Sequence, residues 1–147
     1  MQYIIGGNYF QDLCDIPDLN IEKLNITGCS TISDEAFLTF AMNQTKLRKL
    51  EMANSRKIFT GLAESSDAIF KAVKSLSEIN LSENSIPYLN KMGSIENLQS
   101  LQMDSLDTPG STILSAFQSL NTSKLHTWRA RFLSMQSQDL SEIFRKW

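Results

Sequence analysis

The chain has 147 residues, of which 41% are hydrophobic and 20% charged, with a formal net charge of −2. That is the composition of one globular domain without linker or low-complexity segments, and so small a charge without a sizeable basic cluster argues against nucleic-acid or anionic-membrane partners. No apolar run is long enough to span a bilayer, and the opening Met1-Gln-Tyr-Ile-Ile-Gly-Gly lacks the basic residue and long apolar stretch of a secretory leader, so secretion is not expected.

In chain order, a strand-sized pattern of apolar, any residue, apolar is centred first on Tyr3/Ile5. Gly6-Gly7 lies at its exit, where a tight turn wants glycine, and no helix start is expected after it. The return from Phe10 to Leu19 contains Pro17 and reads as extended or 3₁₀ chain. Leu24/Ile26 form the second strand. Ser33 then reads as the N-cap of a helix, with Asp34 and Glu35 at its positive end and Phe37, Phe40 and Ala41 on one face. Leu50/Met52 mark the third strand, and Ser66-Asp67 open a helix facing inward through Ile69, Ala72, Val73 and Leu76. After Ile79/Leu81, the return from Ile86 to Ile95 carries Pro87 and again reads as extended or 3₁₀. Leu101/Met103 precede Pro109-Gly110 and a helical stripe of Ile113, Ala116, Phe117 and Leu120. Trp128/Ala130 form the last strand, and Leu140, Ile143, Phe144 and Trp147 the last stripe. The first members of these pairs are separated by 21, 26, 29, 22 and 27 residues, the spacing of one strand plus one return.

Catalytic chemistry finds little support. His126 is the only histidine, no Cys/His set has metal-ligand spacing, and no glycine-rich loop leads into Lys and Ser or Thr. The carboxylates Glu22, Glu51, Glu78, Glu83 and Asp104 fall on different turns and form no recognisable acid/base pair. A non-enzymatic protein with no cofactor and no metal is expected. Cys14 and Cys29 belong to different turns and are expected to be two reduced thiols.

Ile21-Glu-Lys-Leu24-Asn-Ile26-Thr-Gly-Cys29-Ser-Thr-Ile32 and Leu76-Ser-Glu-Ile79-Asn-Leu81-Ser-Glu-Asn84-Ser-Ile86 resemble the leucine-rich repeat, L-x-x-L-x-L-x-x-(Asn or Cys)-x-L. Partial copies begin at Leu47, Leu98 and Leu125, with Ser55, Leu106 and Leu133 in the Asn/Cys place. The resemblance implies a right-handed α/β solenoid of about six repeats over residues 1–147, with a parallel sheet on its concave face and mostly helices on its convex face. It also implies that the Asn/Cys side chain bonds backbone of the adjacent turn. Asn8, Cys29 and Asn84 fit that role, Ser55 is short for it, and Leu106 and Leu133 are unable to fill it, so the last turns are expected to be less regular. Returns of 26 to 29 residues resemble the ribonuclease-inhibitor-like and cysteine-containing subfamilies, which implies an intracellular, cytoplasmic protein.

In such a fold the residues between and just after each apolar pair face outward, giving a face roughly 24 Å across for strands about 4.8 Å apart. The first row is Ile4, Asn25, Glu51, Asn80, Gln102 and Arg129. The second is Gly6, Thr27, Ala53, Ser82, Asp104 and Arg131. From these, Asn25, Thr27, Glu51, Asn80, Ser82, Gln102, Asp104, Arg129 and Arg131 are the expected protein-binding residues. Arg129 and Arg131 suit a carboxylate or a phosphorylated side chain; alternatively Asp104 neutralises Arg131 across the sheet. Two roles remain open: a recognition module for a protein or peptide, as in ubiquitin-ligase receptors or innate-immunity sensors, and a structural subunit of a large assembly. The first strand starts almost at Met1 and the last stripe runs to Trp147, so the chain is expected to be part of something larger, either a longer repeat protein or a complex.

Overall fold

The computed structural model describes residues 2–4, 7–131 and 133–146. Three-residue strands recur along it: β1 (Gln2–Ile4), β2 (Lys23–Asn25), β3 (Lys49–Glu51), β4 (Glu78–Asn80), β5 (Ser100–Gln102) and β6 (Thr127–Arg129). They form one sheet in the order β1 to β6, with each strand parallel to the next. Parallel neighbours that follow each other in sequence need a crossover each time. Those crossovers are α1 (Gly7–Cys14), α2 (Asp34–Asn43), α3 (Ala63–Ala72), a 3₁₀ helix at Leu89–Ser94 and α4 (Gly110–Ser119), and α5 (Ser137–Lys146) follows β6. Each packs on the next, so the protein is a repeat-like α/β arrangement with strands in one layer and returns in the other.

Register explains why the apolar pairs recur. Leu24, Leu50, Ile79 and Leu101 are aligned across the sheet, none more than 3% exposed, and Ile26, Met52, Leu81 and Met103 behind them are all 0% exposed. Burial of each such side chain contributes about 1.5 to 3 kcal/mol, which no three-residue strand gains without neighbours on both sides. Aromatic rings fill the space under the helices. Phe10 lies 5.0 Å from Phe40, Phe59 lies 4.7 Å from Phe70, and Phe117 lies 4.6 Å from Trp128 between ring centroids.

The helices correct several expectations. Gly7 starts α1 and Pro17 lies beyond its end, so the first return is helical; the proline follows the helix instead of preventing it. Ser33 caps α2 as expected, its Oγ accepting from the Ala36 N–H at 3.2 Å. By contrast, α3 begins at Ala63, and Ser66 is buried within it instead of capping it. The return holding Pro87 is 3₁₀, as its proline and short length predict. In α5, Ile143 is buried but Phe144 is 64% exposed. Ile5, Gly6 and Trp147 lie outside the described residues, as do the side chains of Tyr3, Ile4 and Asn8.

One feature of the strand exits escaped the sequence. Gly28, Asn54, Glu83 and Ser105, each two residues past the second apolar position, all have a left-handed φ, between 53° and 75°. Their N–H groups donate to the carbonyls of Ala53, Ser82, Asp104 and Arg131 at 2.8, 2.9, 2.9 and 2.7 Å. The same bend is thus made four times and tied each time to the following turn. Ser55 and Asn84 then bond backward, to the carbonyls of Ile26 and Met52 at 2.7 and 2.9 Å, so Ser55 is long enough for the role after all. Leu106 fills the corresponding place in the next turn as a buried apolar side chain. Cys14 and Cys29 are both buried thiols, not joined by a disulfide, and burial first and Asp15 second push the Cys14 thiol above its ordinary value.

Candidate functional site

The strand register builds two outward rows on the sheet. Lys23, Lys49, Glu78, Ser100 and Thr127 form one; Asn25, Glu51, Asn80, Gln102 and Arg129 form the other. Alternation in a strand makes both rows inevitable once the residue between them is buried. The first row was missed in the sequence, although it is the position just before each inward Leu or Ile and the same period of two points to it.

Within these rows the side chains are partly committed. Lys49 Nζ bridges Glu51 at 3.2 Å and Glu78 at 3.0 Å, and these two bonds, Glu78 first, hold its ammonium above the ordinary lysine range. Asn25 Oδ1 accepts from the Thr27 N–H and Asn80 Oδ1 from the Ser82 N–H, both at 3.0 Å. Each amide is thereby oriented by its own backbone two residues on, with its NH2 remaining as a donor. Lys23, Asn25, Lys49 and Glu51 border a shallow depression of about 240 Å³.

Of the expected binding residues, Asn25, Glu51, Asn80 and Gln102 are half-buried, while Thr27, Arg129 and Arg131 are exposed. Ser82 and Asp104 depart from expectation, being only 4% and 8% exposed. Hydrogen bonding at the strand exit draws them in. Ser82 Oγ accepts from the Asp104 N–H at 2.9 Å, and their carbonyls accept from the left-handed residues Asn54 and Glu83 of the preceding turns. They support the face from beneath instead of forming its surface.

Asp104 is the centre of the basic end. A single carboxylate oxygen, Oδ2, accepts from Arg131 Nη2 at 3.0 Å and Gln102 Nε2 at 3.3 Å, and Arg129 Nε forms an ion pair with it at 2.9 Å. Burial pushes this carboxyl up, but the Arg131 hydrogen bond, the charges of both arginines and the Gln102 bond outweigh it and hold it below its ordinary value. The cross-sheet ion pair expected for Arg131 therefore exists, and it includes Arg129 as well. Both arginines keep more than half of their side chains exposed, at 51% and 57%.

No family model matches this chain, and no curated protein matches it. A solved structure of leiomodin-1 actin-binding site 2 is similar over 95% of this chain and 68% of that one, at 18% identity and a TM-score of 0.46. A likeness at that score decides neither family nor partner.

The remaining surface features lie away from the sheet face. Trp128, Ala130, Leu133, Met135, Leu140 and Phe144 line an apolar groove of about 490 Å³ beside the edge strand β6. Lys146 is not part of a simple basic patch, since its Nζ donates to the carbonyls of Phe117, Gln118 and Leu120 at the end of α4. Among the described residues no helix is long and apolar enough to cross a membrane, and no cluster of three His, Cys, Asp or Glu side chains is arranged to hold a metal.

Proposed function

We propose that this protein is a leucine-rich repeat recognition module, without enzymatic activity, that binds another protein through the outward face of its parallel sheet. The observation that carries this is the register: five aligned strands present Lys23 to Thr127 and Asn25 to Arg129 on one surface that the apolar core does not use. Residues relieved of packing are where recognition is built without cost to folding. The backward bonds of Ser55 and Asn84 and the strand-plus-return order support the repeat family. Asn25 and Asn80, oriented in advance, offer amide donors to a partner's carbonyls, which favours a peptide or loop held by hydrogen bonds.

Affinity capture from the native source tests this. Asn80→Arg, which places a bulky charge at the centre of the face, should abolish recovery of the natural partner while leaving the unfolding midpoint within a few degrees of wild type. Undiminished recovery would move the binding surface elsewhere. A second reading, a structural subunit of a larger assembly, draws on the apolar groove beside β6. Sedimentation separates the two: a stable monomer favours the module, and insolubility without companion chains favours the subunit.

A further inference from the structure

From the geometry around Asp104 we infer that the β6 end of the sheet face is a receptor for an acidic peptide segment of the partner, with Arg129 and Arg131 as its carboxylate-binding pair. This rests on the sheet-face reading above and specifies the chemistry of one end of it. The two guanidinium groups lie on alternate residues of one strand exit and converge on a single oxygen, Asp104 Oδ2, at 2.9 and 3.0 Å. A guanidinium carries five N–H donors; Arg131 spends one on Asp104 and Arg129 is held to it as an ion pair, so the forks are oriented yet mostly unused. Two cations against one anion leave the cluster with one net positive charge. On β2 to β4, Lys23 and Lys49 balance Glu51 and Glu78, so the outward rows there carry no net charge.

Net positive charge on the face is therefore confined to its β6 end, beyond neutral Asn80, Ser100 and Gln102. An extended segment lying across the strands is oriented by that difference, its acidic residue over β6. Asp104 supplies the pre-organisation. It is 8% exposed and its backbone N–H is held by Ser82 Oγ at 2.9 Å, which in turn is tied to Asn80 through the Ser82 N–H. Its other oxygen, Oδ1, is buried without a hydrogen-bond partner, so the carboxylate is turned to serve the arginines at the expense of its own second oxygen. An anchor fixed beneath two half-exposed arginines reduces the side-chain ordering that a bound carboxylate would otherwise have to impose.

The test is a titration of the full chain, ¹⁵N-labelled, with the peptide acetyl-(Glu)₆-amide, following the backbone amides and the arginine Nε–Hε resonances. Saturable shifts at Arg129, Arg131 and residues 102–105 are expected, with little movement at Arg48, Arg56 and Arg145. R129Q/R131Q should weaken binding at least fivefold, each single substitution should give part of that loss, and K124Q/R145Q, with the same change in net charge, should stay within twofold of wild type. Equal losses in the two double variants would reduce the effect to general electrostatics and overturn the proposal. So would an absence of saturable shifts, or saturation by inorganic phosphate where the peptide gives none. Should the peptide fail while Asn80→Arg still abolishes capture of the natural partner, the acidic receptor falls and the sheet-face module stands.

Discussion

The hydroxyl of Ser55 donates to the carbonyl of Ile26 at 2.7 Å, across 29 residues of chain, inside a fully buried site. One turn later Asn84 Nδ2 serves the carbonyls of Met52, Leu81 and Ser82 at 2.9, 3.0 and 3.1 Å. The bonds to Ile26 and Met52 stitch two turns to the ones before them, where the chain leaves the strand and the backbone ladder ends.

Removal of the two side chains should therefore cost unequal amounts. Ser55→Ala leaves one buried carbonyl without this donor and should lose roughly 1 to 2 kcal/mol; Asn84→Ala withdraws from three and should lose roughly 2 to 4 kcal/mol. Urea unfolding with a common slope measures both. A Ser55→Ala loss equal to or larger than that of Asn84→Ala would contradict the stitching role.

Much of the architecture was legible because burial has a period. Leu24, Leu50, Ile79 and Leu101 sit where their spacing predicts, and the polar positions between them follow automatically. What stayed hidden depends on contacts between turns. A left-handed φ at Glu83 or Ser105 has no local signature, since neither residue favours it; the neighbouring turn imposes it through hydrogen bonds. The start of α3 was misplaced because Ser66 and Asp67 resemble a cap, whereas the helix begins after Leu62 with no side-chain cap at all. Ser82 and Asp104 were read as surface for a similar reason: their alternation points outward, but the bend that follows draws both in, Asp104 beneath the arginines. The binding face was thus visible as a set of rows, and its depth was not.

The repeated bend has a mutational signature. Gly28 has φ of 75° and open space around its missing Cβ, so Gly28→Ala meets no clash and its loss of roughly 1 kcal/mol comes from the backbone alone. At Glu83, with φ of 60°, a glycine relieves that backbone cost but adds unfolded-state entropy, and Glu83→Gly should fall within about 0.5 kcal/mol of wild type. Thermal unfolding of both variants checks the pair. A clear destabilisation by Glu83→Gly would show that its side chain, and not its φ, matters at the strand exit.

At the far end, Lys146 reaches back 26 to 29 residues to the last carbonyls of α4, donating to Phe117 at 2.8 Å and Leu120 at 3.3 Å. A cation there satisfies orphan acceptors and opposes the negative end of the helix dipole. Lys146→Met should lower stability by about 0.5 to 1 kcal/mol, with the difference shrinking in high salt. A salt-independent loss would assign the effect to packing of the side-chain stem instead.

Asp104 gives the sharpest dependence on pH. Its ordinary value is 3.8, and in the fold the Arg131 bond and the two arginine charges overcome the burial that pushes it up, lowering it. A lowered folded value means that the unfolded chain binds the proton first as pH falls. Stability from this carboxylate is consequently complete well above pH 3.8 and is lost as pH drops through the lowered folded value. Because both arginines are half-exposed, the contribution at neutral pH should be only about 1 kcal/mol. Asp104→Asn should therefore unfold slightly earlier than wild type at pH 7, and the gap between the two should narrow steadily below about pH 4 as the wild-type carboxyl protonates. Parallel urea titrations from pH 7 to pH 3 measure the gap. One that stays constant over that range would mean that the ion cluster contributes through its shape and not through its charge.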